Sequence, residues 1–313
     1  MSTPIAPTSA VYRWHEGRLD VLDYCDMTET VVAAADSWLV TDGRTLALDL
    51  HRARFFDAAG AWPLDLDAFW DAAIAAIPRE GDWFPRVELQ SRSGAPLLVF
   101  RLRSAPTLTR SVVVASHAGP DPRTRPTVKG PDLEAMLRVR TAVQPRGAEE
   151  AIILSPEGYV VEGAYSAIVW WRGSILCAPS PELERIDSVT ARSLLGLATA
   201  LGTEIYFESV TPAELDGAEV WSLGALHGPR IITRWVDGPG MAALPGRLDV
   251  WRTRLAALRH PLPQRALGSS GGKAPEPRHP PRPAPAEIQE SASHRDRGCL
   301  PPRGPQTPDA ANS

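Results

Sequence analysis

Thr127-Val128-Lys129-Gly130-Pro131-Asp132, written TVKGPD, holds a residue this chain almost never uses. Of its 33 lysines and arginines only two are lysine, Lys129 and Lys273, and the second stands in a Pro-rich tail. Arginine fills nearly every other basic position. Arginine keeps its proton in any protein, whereas burial lowers a lysine pKa and frees its amine. A neutral amine is a nucleophile that condenses with an aldehyde. Two explanations of Lys129 stand: a retained reactive amine, or a chance survivor on the surface.

The 313 residues leave room for one large or two modest domains. Apolar residues at 43% and charged residues at 22% are globular values. The net charge of −4 gives no footprint for nucleic acid or an anionic membrane. No stretch approaches the roughly 18 apolar residues that cross a bilayer. The opening MSTPIAPTSAVYRWHEG has no basic segment followed by an apolar run. Cys25, Cys177 and Cys299 are far apart with no C-x-x-C pair, which argues against structural zinc and for a reducing compartment. The expectation is a soluble, cytoplasmic protein without nucleic-acid or membrane partners.

Periodicity predicts α+β lobes. In the first, Ser37–Val40 reads as a strand running into the turn Thr41-Asp42-Gly43. Leu46–Phe56 has helical spacing with Gly60 to close it, and Asp65–Ile77 is a helix stopped by Pro78. Arg86–Gln90 and Pro96–Leu102 form a hairpin through SRSG, and Val112–Ser116 is a buried strand. In the second, Pro131 opens a helix. Hairpins follow at 151–161 and 166–177, then a helix from Ser188 to Leu201, three strands and a last helix, Arg247–Arg259. This places a small N-terminal domain at 1–120 and a larger, hairpin-rich domain at 121–260. Residues 261–313, rich in Pro, Gly, Ser and Arg, are expected to be disordered.

An amine that works with pyridoxal phosphate needs a carboxylate for the pyridine nitrogen, a phosphate cradle and a substrate pocket. Glu162 follows the apolar run Tyr159–Val161 and is either a buried strand end or a solvated turn residue. Ser188-Val189-Thr190 opens a helix, where exposed N–H groups bind phosphate or serve an ordinary N-cap. Arg54 is either a phosphate fork or an exposed charge.

Lys129, the hairpin end Val161-Glu162-Gly163, the helix opening Ile186-Asp187-Ser188-Val189-Thr190 and Glu219-Val-Trp-Ser-Leu-Gly224-Ala225 stand in this order and spacing. The pattern resembles the class IV aminotransferases, the fold-type IV pyridoxal-phosphate enzymes that include branched-chain and D-amino acid aminotransferases and aminodeoxychorismate lyase. Leu48-Asp-Leu-His51-Arg52-Ala53-Arg54-Phe55 is similar to the family's H-x-x-R-L helix. The resemblance spans about residues 37 to 237. It implies a two-domain fold, a small N-terminal α/β domain beside a larger β-barrel-like one, in a homodimer acting on a small amino-bearing substrate. It implies that Lys129 bonds the cofactor and moves the proton, and that Glu162 meets the pyridinium nitrogen. Arg54, Val189, Thr190, Gly224 and Ala225 would hold the phosphate. Three activities fit: transamination, a lyase reaction releasing pyruvate, or ligand binding by a member without turnover.

The sequence departs from the family in having no Tyr shortly after the lysine, where Leu133-Glu134 stand, and in Ala225 where Thr is usual. Near these motifs Tyr165 is a candidate for the pocket wall. His227 is a pocket or structural histidine, and Arg230 either meets a substrate carboxylate or is exposed.

Overall fold

The computed structural model describes residues 9–22, 31–92, 94–242 and 245–264. The first half is built from β1 (Ser9–His15), β2 (Arg18–Val21), β3 (Val31–Ser37), β4 (Val40–Thr41), β5 (Arg44–Leu46), α1 (Leu48–Ala59), α2 (Leu66–Ala75), β6 (Asp82–Trp83), β7 (Arg86–Arg92) and β8 (Ala95–Arg103). The second half contains β9 (Ser111–Ser116), α3 (Leu133–Val143), β10 (Glu150–Leu154), β11 (Val160–Gly163), β12 (Ala167–Arg172), β13 (Ile175–Pro179), α4 (Val189–Ala200), β14 (Ile205–Glu208), β15 (Glu219–Gly224), β16 (Gly228–Val236) and α5 (Pro245–Ala257). A short β17 (Arg259–Pro261) follows. This is the expected α+β class.

In the first half an antiparallel sheet runs β2-β1-β8-β7-β3. Alternation decides its faces. Val87, Leu89, Leu98, Phe100 and Leu102 point into a core with Phe55 and Ala59 of α1 and Leu66, Phe69, Trp70, Ala73 and Ile74 of α2. Each of the Val, Leu, Ile and Phe side chains, fully buried, contributes about 1.5–3 kcal/mol. Arg86, Glu88, Gln90 and Arg101 alternate with them. Glu88, buried, accepts from Arg101 Nε at 2.9 Å and lies 2.8 Å from Arg86 Nε.

In the second half eight strands run β11-β10-β9-β16-β15-β12-β13-β14. The sheet curls into a half-barrel. Its edge strand β11 turns directly into β12, where Gly163 N donates to Ser166 O at 2.6 Å. Val112, Val114, Ile152, Ile168 and Trp170 fill one face. The alternate residues Ala115, Ala151 and Ile153 receive Met136, Val139 and Val143 of α3. Val169, Trp171 and Trp221 receive Leu194 and Ala198 of α4 and Leu248, Trp251 and Leu255 of α5.

Three features depart from the periodicity reading. The helix expected from Leu46 begins at Leu48, because Arg44–Leu46 pair as β5 and Ala47 turns left-handed at φ 47°. The β1–β2 hairpin and β3 were not expected. The hairpin turns on Glu16-Gly17, both with positive φ, the conformation a two-residue hairpin loop requires. The described chain also runs past 260. β17 pairs antiparallel with β5 and Leu262 is buried in the first half's core. The rest of the Pro-rich tail lies outside the described residues. Among the described residues no helix is long and apolar enough to cross a membrane.

Candidate active site

Lys129 stands in the loop between β9 and α3. Asp132 organises that loop by accepting from Thr124 N at 2.9 Å, Thr124 Oγ1 at 2.8 Å and Arg125 N at 2.9 Å. The loop docks on β3, where Ala35 N donates to Lys129 O at 2.7 Å. Gly130 makes this approach possible. Its φ is +152°, and a Cβ there would lie 2.7 Å from Ala34 Cα.

The Lys129 side chain lines a cavity with Arg54, Glu162, Tyr165, Val189, Thr190, Gly224 and Ala225. The structure therefore gathers eight of the sequence's candidates. Burial is the main cause that pushes the Lys129 amine down to about 8; Arg54 and Arg86 push the same way, against Asp36 and Glu162.

Glu162 ends β11 and is 5% exposed. Burial pushes its carboxyl up to about 7, although Arg123, the backbone N–H of Ile186, Lys129 and Arg185 all favour the carboxylate. Arg123 is its ion-pair partner. The guanidinium also holds Asp121 through Nε at 2.9 Å and Nη2 at 2.6 Å.

Arg54 is aimed by its neighbours. Asp36, fully buried at the end of β3, accepts from Arg54 Nε at 2.7 Å and Nη2 at 2.9 Å, and from His51 Nδ1 at 2.8 Å. Burial alone would raise the Asp36 carboxyl; His51 and Arg54 outweigh it and hold it at about 2. Arg54 Nη1 donates to Asp187 O at 2.8 Å, which ties α1 to the approach of α4. Ser188 caps α4 by accepting from Ala191 N at 3.3 Å. The cap leaves the amides of Val189 and Thr190 at the helix opening beside Arg54. Helix-opening amides beside a guanidinium are the kind of groups that attract an anion.

Tyr165, from the β11–β12 turn, donates to Leu133 O at 3.3 Å. A tyrosine thus reaches the turn after Lys129 from another part of the chain. His227 lines a neighbouring cavity instead, and its Nδ1 accepts from Thr109 N at 3.2 Å. Arg230 is buried on β16 against Ser222 and Thr109 and is absent from the Lys129 cavity wall.

Sequence reasoning missed Asp36, Arg123 and Arg86. Asp36 ends an unexpected strand, and Arg123 sits in DPRTRPT, which reads only as a loop. Arg86 reaches Lys129 and Tyr165 electrostatically from β7. Its Nε is ion-paired with the buried Glu88 carboxylate at 2.8 Å.

The family model for amino-transferase class IV matches residues 33–235. No curated protein matches the sequence. Among solved structures, the fold IV-transaminase CpuTA1 from Curtobacterium pusillum superposes with a TM-score of 0.67 at 16% identity, covering 80% of this chain and 98% of that one. A hypothetical aminotransferase from Mycobacterium tuberculosis, in its PLP-bound form, gives 0.65 at 17%, covering 80% and 98%. A Brucella abortus aminotransferase bound to the co-factor PLP gives 0.64 at 18%, covering 80% and 97%. With the family match spanning well over half of its length, and the same fold in these neighbours, the chain belongs to the class IV aminotransferase family.

Proposed function

We propose that the protein is a pyridoxal-phosphate-dependent aminotransferase acting on an amino acid or another small amino-bearing molecule. The observation that carries this reading is a lysine amine lowered to about 8 in one cavity with a buried carboxylate and an arginine-plus-helix anion cradle. That donor set fits the cofactor. Lys129 matches its aldehyde, Glu162 its ring nitrogen, and Arg54 with the Val189 and Thr190 amides its phosphate. When bound, the cofactor supplies an electrophilic carbon for amines and an electron sink for charge left at Cα.

The chain's own groups account for the rest. Lys129, neutral for a useful fraction of molecules near pH 8, would take the proton from the substrate's Cα and deliver it to the carbon that had been the cofactor's aldehyde. Glu162 is the acceptor that keeps the ring nitrogen protonated. Asp36 and His51 hold Arg54 on the phosphate. Arg86, ion-paired with Glu88 at 2.8 Å, acts on Lys129 through its charge and lowers the amine's proton affinity.

The test is borohydride reduction of cofactor-treated protein followed by peptide mapping. A phosphopyridoxyl group on Lys129, with amino-donor-dependent formation of a keto acid, is the expected result. Failure of Lys129 to take the label sinks the proposal. Pyruvate released from aminodeoxychorismate without an amino acceptor assigns the lyase reaction instead.

A further inference from the structure

A second cavity, about 250 Å³, lies back to back with the Lys129 cavity across Thr190, Gly224 and Ala225. Its walls come from both halves of the fold. Trp38 and Thr45 belong to the first, His227 to the β15–β16 turn, and Arg252 and Arg259 to α5 and β17, with exposed Arg110 also in the lining.

Two observations set this cavity apart. Trp38 Nε1 and Thr45 Oγ1 are buried without a hydrogen-bond partner, and the two residues are 1% and 2% exposed. Buried polar groups are rarely left unmatched, because the lost hydration is not regained. Arg252 and Arg259 also lack a carboxylate partner among the described residues. Arg252 Nη1 donates to the carbonyls of His227 and Pro229. Arg259 Nη1 donates to Thr41 Oγ1 at 3.2 Å. Asp249 is committed to Arg110 at 3.1 Å, and Asp82 acts on Arg259 only at a distance. Burial, then Arg110 and Arg259, disfavour the charge on Arg252. The ring of His227 accepts at Nδ1, which leaves Nε2 as its donor. The lining thus presents two unmatched polar atoms and, among the described residues, two guanidinium groups without a carboxylate partner.

We propose that this cavity binds a small-molecule oxyanion, a phosphate monoester or a carboxylate, separately from the Lys129 cavity. Arginine forks match both anions, and a tryptophan N–H and a threonine hydroxyl complete the shell.

The experiment titrates the full chain with inorganic phosphate and, separately, with succinate by calorimetry, in wild type, R54Q, R252Q, R259Q and T45V. The expected result is an oxyanion site that survives R54Q and weakens at least about tenfold in R252Q and R259Q. T45V, nearly isosteric, is expected to weaken it several-fold and to melt higher than wild type when no anion is present. Tighter phosphate binding assigns a phosphate monoester; tighter succinate binding assigns a carboxylate. Arg252 also ties α5 to the β15–β16 turn, so R259Q and T45V decide the matter if R252Q does not fold. Absence of binding in wild type, equal affinity in R259Q and T45V, or loss of the site in R54Q each overturns the proposal. The last outcome would place the anion in the Arg54 cradle.

Discussion

The backbone of Ala35 donates to the carbonyl of Lys129 at 2.7 Å, so a strand of the first half carries the lysine of the second. Gly130 permits it, since a Cβ would strike Ala34 Cα at 2.7 Å. The atoms it would strike belong to the backbone and cannot step aside cheaply. Gly130→Ala is expected to cost about 2–3 kcal/mol and to displace Lys129. Urea denaturation reads the first effect, and slower cofactor capture reads the second. Wild-type values for both would refute the docking account.

Asp36 supports Arg54 from a fully buried position. Replacing one partner of such a pair leaves the other uncompensated, so Asp36→Asn is expected to cost about 3–5 kcal/mol. The pH dependence has a definite sign. The folded carboxyl, at about 2, lies below its ordinary 3.8, so the stabilisation is complete above the upper value and is lost as pH falls toward the lower one. It amounts to roughly 2 kcal/mol. Acid unfolding of wild type should carry this component and that of Asp36→Asn should lack it.

Lys129 reacts only as the free amine. With the amine at about 8, the rate of cofactor capture should rise about tenfold per pH unit below that value and level off above it. Arg86 helps keep the amine low, so Arg86→Met should move the midpoint upward. An unchanged midpoint in the variant, followed by absorbance at a series of pH values, would remove Arg86 from the electrostatic account.

Glu162 is already pushed up to about 7 by burial, and Arg123 is the strongest influence opposing that rise. Arg123→Met should raise the carboxyl further and leave it largely protonated at neutral pH, no longer a good acceptor for a ring nitrogen. Cofactor affinity should then fall about tenfold or more. Equilibrium dialysis checks this, and a gain in affinity would mean that Arg123 competes with the cofactor instead of preparing its site.

Much of the site was legible because its groups sit where chemistry leaves a mark on residue choice. A lone lysine in an arginine-rich chain, a glutamate ending an apolar run, and Ser-Val-Thr before a helical period are local signals. Lys129, Glu162 and Thr190 indeed meet at one cavity. What stayed hidden depends on distant pairing. Nothing local in VVAAADS says that Asp36 meets two residues of α1, because the short alanine-rich strand gains its place only by pairing with β7. Arg123 is one of many arginines, and only the fold selects it for Glu162. Leu258, inside the expected last helix Arg247–Arg259, lies beyond the end of α5 and is 39% exposed.

β17 belongs to the first half by pairing and to the far end by sequence. On a ribosome, β5 would emerge more than 200 residues before its neighbour Arg259–Pro261, so the first half cannot complete its small sheet until nearly all of the described chain has been made. A nick or premature stop just after Ala257 would leave the edge of β5 unpaired and the place of Leu262 in the core empty, while every residue of the Lys129 cavity remained in the chain.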